Sequence, residues 1–244
     1  MKSLPILTQA THQPGPLEQE LEKLWPVARA RLFRWRNFGR SVRLRRMFQL
    51  RPLRAEQLTL KMPRGQVPDC DACVEICCTG KDAIVSLRLR DIAALVDAGL
   101  QEHIAHDRPV LPPRQQKKLG WARREADDSV FHQAFPVLRR DPTGTCTLLT
   151  EDRKCGAWPA WPLSCARYPY ALDLQNRVVF YAKGCASTQL LPVNEAPFKV
   201  RELVLAVVDA YNARVKDVVL VAMAKDELRA MGLLRFLQTE HLPF

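Results

Sequence analysis

At 244 residues, 47% hydrophobic and 26% charged, the chain has the composition of a folded globular protein, which excludes wholesale disorder. It holds no run of about 18 apolar residues, so no transmembrane segment is expected. The formal net charge of +11 is confined to one stretch: between Lys23 and Ala55 one lysine and ten arginines occur without an acid, and the remaining 26 basic and 26 acidic residues balance.

In chain order, residues 1–16 read as a loose leader with three prolines and a glycine. Met1–Thr8 is too short, and too soon followed by Pro14 and Pro16, for a secretory signal. The expected address is cytoplasmic, with a peripheral association at the membrane surface as a variant. From Leu17, the spacing of Leu17, Leu21, Leu24, Ala28, Leu32 and Trp35 predicts a helix with these residues on its apolar stripe. Pro26 predicts a kink or a junction of two helices. Arg29, Arg31, Arg34, Arg36, Arg40, Arg43, Arg45 and Arg46 fall mainly off the stripe, among Phe33, Phe38, Leu44, Met47 and Phe48. Such a basic amphipathic segment is either a solvated surface or a dock for an anionic partner, a membrane surface or nucleic acid, spanning residues 23–55. Pro52 ends it.

Leu58–Pro68 reads as a connector, Ala83–Leu87 as a short strand, and Leu89–Ala98 as a helix stopped by Gly99. Leu100–Ala126 reads as a long loop with at most one short helix, on which His103 and His106 would share a face as surface histidines. Val137–Arg140 and Thr145–Leu149 flank Asp141-Pro142-Thr143-Gly144, a pattern that predicts a hairpin. Arg177–Ala182 predicts another strand, and Phe198–Val215 and Val218–Leu237 predict two closing helices.

The chemistry lies in eight cysteines: Cys70, Cys73, Cys77 and Cys78 in one tight group, then Cys146, Cys155, Cys165 and Cys185. An even count with such spacing admits a disulfide framework or thiolates on metal. A reducing cytosol, and a chain too long to need staples, favour metal. Thiolates suit zinc or iron, including an iron–sulfur cluster, and ligand type alone does not choose between them. Neighbouring side chains diverge, so Cys77 and Cys78 would rarely serve one ion, and eight ligands divide into two four-ligand sites or into one with cysteines packed beside it. Trp158, Trp161, Tyr168 and Tyr170 are placed to shield the sulfurs or simply to pack. Lys81, Arg153, Lys154, Arg167 and Lys183 lie close enough in sequence to balance negatively charged centres.

These residues resemble the CxxCxxCC or YkgJ-like family of zinc- or iron-chelating cysteine-cluster proteins. The resemblance covers about residues 69–186. It rests on Cys70-x-x-Cys73-x-x-x-Cys77-Cys78, on Val85-Ser86-Leu87 leading into Asp91-Ile92, and on the run from Cys155 through Trp158, Trp161-Pro162-Leu163 and Cys165 to Tyr168-Pro169-Tyr170, closed by Cys185. Trp161 and Ala166 stand where the family has arginine. The resemblance implies zinc or iron with no settled reaction, and some relatives belong to flagellin lysine methylases.

The predicted fold is α+β, mostly helical, with a few short strands and irregular loops organised around a cysteine-ligated metal cluster. Residues 1–60 form a basic arm, 61–190 the cysteine domain and 191–244 the closing helices. The function expected is metal binding with a structural or redox-sensing role. The alternatives are a protein-modifying enzyme of the lysine-methyltransferase kind, and a protein that binds nucleic acid or a membrane surface through its arginines. The ten glycines form no Gly-x-Gly nucleotide loop. Cys77-Cys78-Thr79-Gly80-Lys81 lacks the glycine and hydroxyl of a phosphate loop, and no catalytic residue is assigned.

Overall fold

A computed structural model of the chain describes residues 13–47, 50–61, 66–68, 77–79, 84–107, 135–152, 154–181, 190–192, 194 and 197–237. These residues form an α+β fold, 54% of them helical, with strands of only three or four residues.

Helix α1 (Pro16–Leu32) starts where the sequence supplies an N-terminal signal: Pro16 at its first position and Glu18, whose Oε2 accepts the Gly15 N–H at 3.2 Å. A second carboxylate serves the same end, since Asp97 Oδ2 accepts the N–H groups of Leu17 (3.0 Å) and Glu18 (3.3 Å). Pro26 lies within α1, which runs on as one assigned helix. Leu21, Ala28 and Leu32 are buried along it. The helix ends before Trp35, so the predicted stripe stops one turn early and Trp35 is exposed. A short turn (Trp35–Asn37) leads into α2 (Phe38–Met47).

Helix α3 spans Leu89–Asp97. Leu89, Ile92, Ala93, Ala94 and Leu95 are buried, Asp91 caps its start by accepting the Arg88 N–H at 2.8 Å, and Gly99 leaves it at φ 73°, as its sequence predicts. Helix α4 (Leu163–Ala166) is a single turn, and α5 (Pro197–Met223) is the longest element, followed by α6 (Lys225–Ala230) and a turn at Leu233–Phe236. The closing helices therefore divide at Ala224, not at residues 216–217. Lys216 and Asp217 stay helical because each has a partner: Lys216 Nζ meets Glu22 at 2.7 Å, and the buried Asp217 accepts the Leu89 N–H at 3.3 Å. The main core joins α1, α2, α3, α5 and α6 around Leu44, Leu89, Ile92, Val219 and Leu228.

The expected connector at residues 58–68 instead carries two strands, β1 (Thr59–Lys61) and β2 (Gln66–Pro68). The others are β3 (Ile104–Asp107), β4 (Phe135–Leu138), β5 (Tyr170–Asp173), β6 (Val178–Tyr181) and β7 (Leu190–Pro192). Sheet order β1-β6-β5 pairs β1 parallel and β5 antiparallel to β6, with Thr59 opposite Val178 and Tyr170 opposite Tyr181. Strands β3 and β4 pair antiparallel, as do β2 and β7. Of the strand expected at Ala83–Leu87, residues 84–87 form one bridge, Ser86 to Val137, and Ala83 lies outside the described residues. The Asp141–Gly144 turn is present, but among the described residues its arms form one bridge, Arg140 to Cys146, because β4 is taken on one edge by β3 and on the other by the Ser86 bridge and its flanking bonds. Among the described residues no helix is long and apolar enough to cross a membrane.

Candidate metal centre

Four of the eight cysteines have described side chains, and each is brought to the same core by a different device. Cys78 sits in a short turn (Cys77–Thr79); its carbonyl oxygen accepts the N–H of Cys146 at 2.8 Å and Nη1 of Arg140 at 3.1 Å. The first cysteine group is thereby joined to the second through backbone. The same Arg140 nitrogen donates to the carbonyl of Gly144 at 2.5 Å, so one guanidinium holds the Cys78 turn against the Asp141–Gly144 turn. That second turn is shaped by Asp141 Oδ1, which accepts from Thr143 Oγ1 and from the N–H groups of Thr143 and Thr145. The Thr143 hydroxyl and the Thr145 N–H hold the Asp141 carboxyl below the usual carboxylate range.

Cys146 follows directly and is buried. Its carbonyl accepts the Leu149 N–H at 3.0 Å, and Leu149 bridges Cys155 in turn. Gly156 N–H reaches Leu148 O at 2.7 Å, a close approach in which an added Cβ would lie 3.2 Å from that oxygen. Cys165 lies in α4, whose start is fixed by Asp91: Oδ1 accepts the Leu163 N–H at 3.0 Å, and Ser164 Oγ donates to Ser86 O at 2.6 Å. Cys78, Cys155 and Cys165 are half-buried, and all three pack against the apolar cluster that contains Cys146. No disulfide links any two of these four sulfurs.

Of the cysteines expected as ligands, Cys70, Cys73 and Cys185, with the side chain of Cys77, lie outside the described residues. Among the described residues no group of three or more His, Cys, Asp or Glu side chains is placed to hold an ion. The donors present are of the soft type that zinc and iron take, gathered on one apolar core. His103 and His106 do not share a helix: His103 Nδ1 meets Thr147 Oγ1 and His106 Nε2 meets Phe236 O, both at 2.8 Å. Among the cations expected near sulfur, Lys154 turns to Asp152 at 2.9 Å and Arg167 is half-buried, while Lys81, Arg153 and Lys183 lie outside the described residues.

Asp91 is buried, and burial pushes its carboxyl up to about 6 despite the N–H groups of Arg88 and Leu163. Beside it lies a cavity of about 410 Å³, lined among others by Asp91, Asp209, Glu202, Trp158 and Trp161. The two indoles meet edge-on at 4.6 Å and are each nearly half exposed, so they wall this cavity instead of filling the core. Burial also raises the Asp209 carboxyl, an effect that Arg90 and Lys216 partly offset.

Arg29, Arg34, Arg36, Arg40 and Arg45 are exposed and Arg31 is half-buried; the side chains of Arg43 and Arg46 lie outside the described residues. Two of them hold the arm to the C-terminal end of α5. Arg31 Nη1 donates to Met223 O (3.0 Å) and pairs with Glu227 (2.6 Å), and Arg40 Nη1 donates to Ala222 O (3.2 Å). Sequence reasoning missed the anchoring role of Arg140, although its place before Asp-Pro-Thr-Gly marks it as a turn neighbour. It also missed the exposure of Phe33, Trp35 and Phe38. No family model, no curated protein and no solved structure matches the chain.

Proposed function

We propose that the chain is a metal-binding cysteine-cluster protein of the YkgJ-like kind, holding zinc or iron through thiolates in a structural or redox-sensing role. The observation that carries this reading is the convergence of Cys78, Cys146, Cys155 and Cys165, from separate stretches, on one core cluster, with the Cys146 N–H bonded to the Cys78 carbonyl. Cys70, Cys73, Cys77 and Cys185 complete the ligand set. An ion so held ties turns that have little regular structure of their own, so its binding energy is part of the folding energy. The shielding of Cys155 and Cys165 by half-buried packing limits water at the sulfurs.

Elemental analysis of the full chain, purified without oxygen, tests the reading. Stoichiometric zinc in colourless protein supports the structural form, and iron with absorbance near about 400 nm supports the cluster form. Folded protein carrying neither metal overturns both. The protein-modifying alternative gains support only if S-adenosylmethionine binds, seen as heat on titration.

A further inference from the structure

Phe33-Arg34-Trp35-Arg36-Asn37-Phe38 forms the corner between α1 and α2, and three of its six residues are large rings held out in solvent: Phe33 is 63% exposed, Trp35 84% and Phe38 58%. The corner is built, not frayed. The N–H groups of Phe33, Arg34 and Asn37 donate to Ala30, Arg31 and Arg34 carbonyls at 2.9–3.2 Å, and Asn37 Nδ2 donates to Arg31 O at 2.8 Å. Beneath it, Ser41 Oγ donates to Leu32 O and Leu44 is fully buried. Three large rings held side by side in water without cover make an apolar surface shaped for a contact.

The charge around the rings states what the contact is. Arg29, Arg34, Arg36 and Arg45 are exposed beside them, no acid occurs between Lys23 and Ala55, and the arginines that anchor the arm, Arg31 and Arg40, are different ones. The partner is therefore anionic with an apolar layer. The rings are also disposed as a knob and not as open platforms: Trp35 and Phe38 stack on each other at 5.5 Å and 26°, and the Arg45 guanidinium sits 4.9 Å over the Phe33 ring. Faces already covered in this way are poor stacking surfaces for unpaired bases. Indole and phenyl rings flanked by arginine match a bilayer interface, where rings enter the headgroup level and guanidinium groups meet phosphate.

We infer that the α1–α2 corner docks this protein on an anionic lipid bilayer, with Phe33, Trp35 and Phe38 inserted and Arg34, Arg36 and Arg45 at the headgroups. This inference is independent of the metal reading.

Sedimentation of the full chain with phosphatidylcholine vesicles, with and without about one third phosphatidylserine, tests it. Binding is expected on the anionic vesicles alone, weakening as salt rises. Replacing Trp35→Ala together with Phe38→Ala is expected to weaken it at least about tenfold, from lost apolar insertion. Trp35→Phe should keep the binding but lose fluorescence quenching by brominated lipid; quenching that persists places another tryptophan in the bilayer and overturns the assignment. The inference also fails if neutral and anionic vesicles bind alike, if neither binds, or if the double variant binds as the native chain does. A DNA or RNA oligonucleotide that displaces the protein from vesicles, and loses affinity on Trp35→Ala, overturns it in favour of nucleic acid. Unchanged circular dichroism and metal content in the variants separate this outcome from damage to the fold.

Discussion

Asp91 on α3 accepts the backbone N–H of Leu163, at the first position of the turn that bears Cys165, across 3.0 Å. A buried carboxylate thus fixes the approach of one cysteine to the core, while its other oxygen caps its own helix.

The pH dependence of that contact has a definite sign. Asp91 titrates at about 6 in the fold against 3.8 unfolded. Between those values the native state holds a proton that the unfolded chain has released, so stability falls as pH rises from about 4 to about 6 and its Asp91 component is flat above about 7. A shift of this size corresponds to a fall of about 3 kcal/mol. Urea unfolding of the native chain and of Asp91→Asn over this range checks it. The variant is expected to show a smaller slope while losing one acceptor, and an identical slope contradicts the assignment.

Arg140 holds Cys78 O and Gly144 O with one nitrogen. Arg140→Ala is expected to lower the unfolding free energy by about 2 kcal/mol, since donors that carry charge are worth roughly 1.5–3 kcal/mol each when partly buried. Arg140→Lys should recover only part, because the lysine side chain is shorter and its nitrogen falls short of the place from which Nη1 reaches both carbonyls. Chemical denaturation of both variants measures the difference.

The start of α1 depends on a carboxylate from α3. Asp97→Ala should cost about 1 kcal/mol, as loss of a helix cap does elsewhere. Gly15→Ala should destabilise in the same direction, because a Cβ there would overlap the Asp97 carboxylate. Thermal unfolding reads both, and additive losses in the double variant would contradict a shared mechanism.

If thiolates hold the metal, Cys155→Ser and Cys165→Ser should each reduce bound zinc or iron and lower the melting temperature together. Val207→Ala, in a separate cluster with Tyr170 and Val179, should lower stability with metal content unchanged in the folded fraction. Metal analysis beside calorimetry distinguishes the two kinds of loss.

Elements whose causes are local were legible in the sequence. Helix α3 carries its own cap at Asp91 and its own stop at Gly99, and the Asp141–Gly144 turn is shaped by its own aspartate. Features set by distant partners were not. Strand β4 pairs with β3, across residues that give no pairing signal, and leaves the predicted hairpin with a single bridge. The polar Lys216-Asp217 pair resembles a helix break, yet Glu22 and the Leu89 N–H satisfy it inside α5. Trp35 fits the apolar stripe by spacing, but the helix ends at Leu32 and the ring turns outward. At the candidate site, the sequence named the cysteines; the backbone bond between Cys146 and Cys78 depends on tertiary pairing that spacing does not encode.

Native mass spectrometry of the full chain, prepared without oxygen, weighs the central claim directly. The account predicts a mass above that of the 27.8 kDa polypeptide by bound zinc or iron, lost when acid protonates the thiolates. A folded chain at the bare polypeptide mass, or one lighter by the hydrogens lost in forming disulfides, would contradict it.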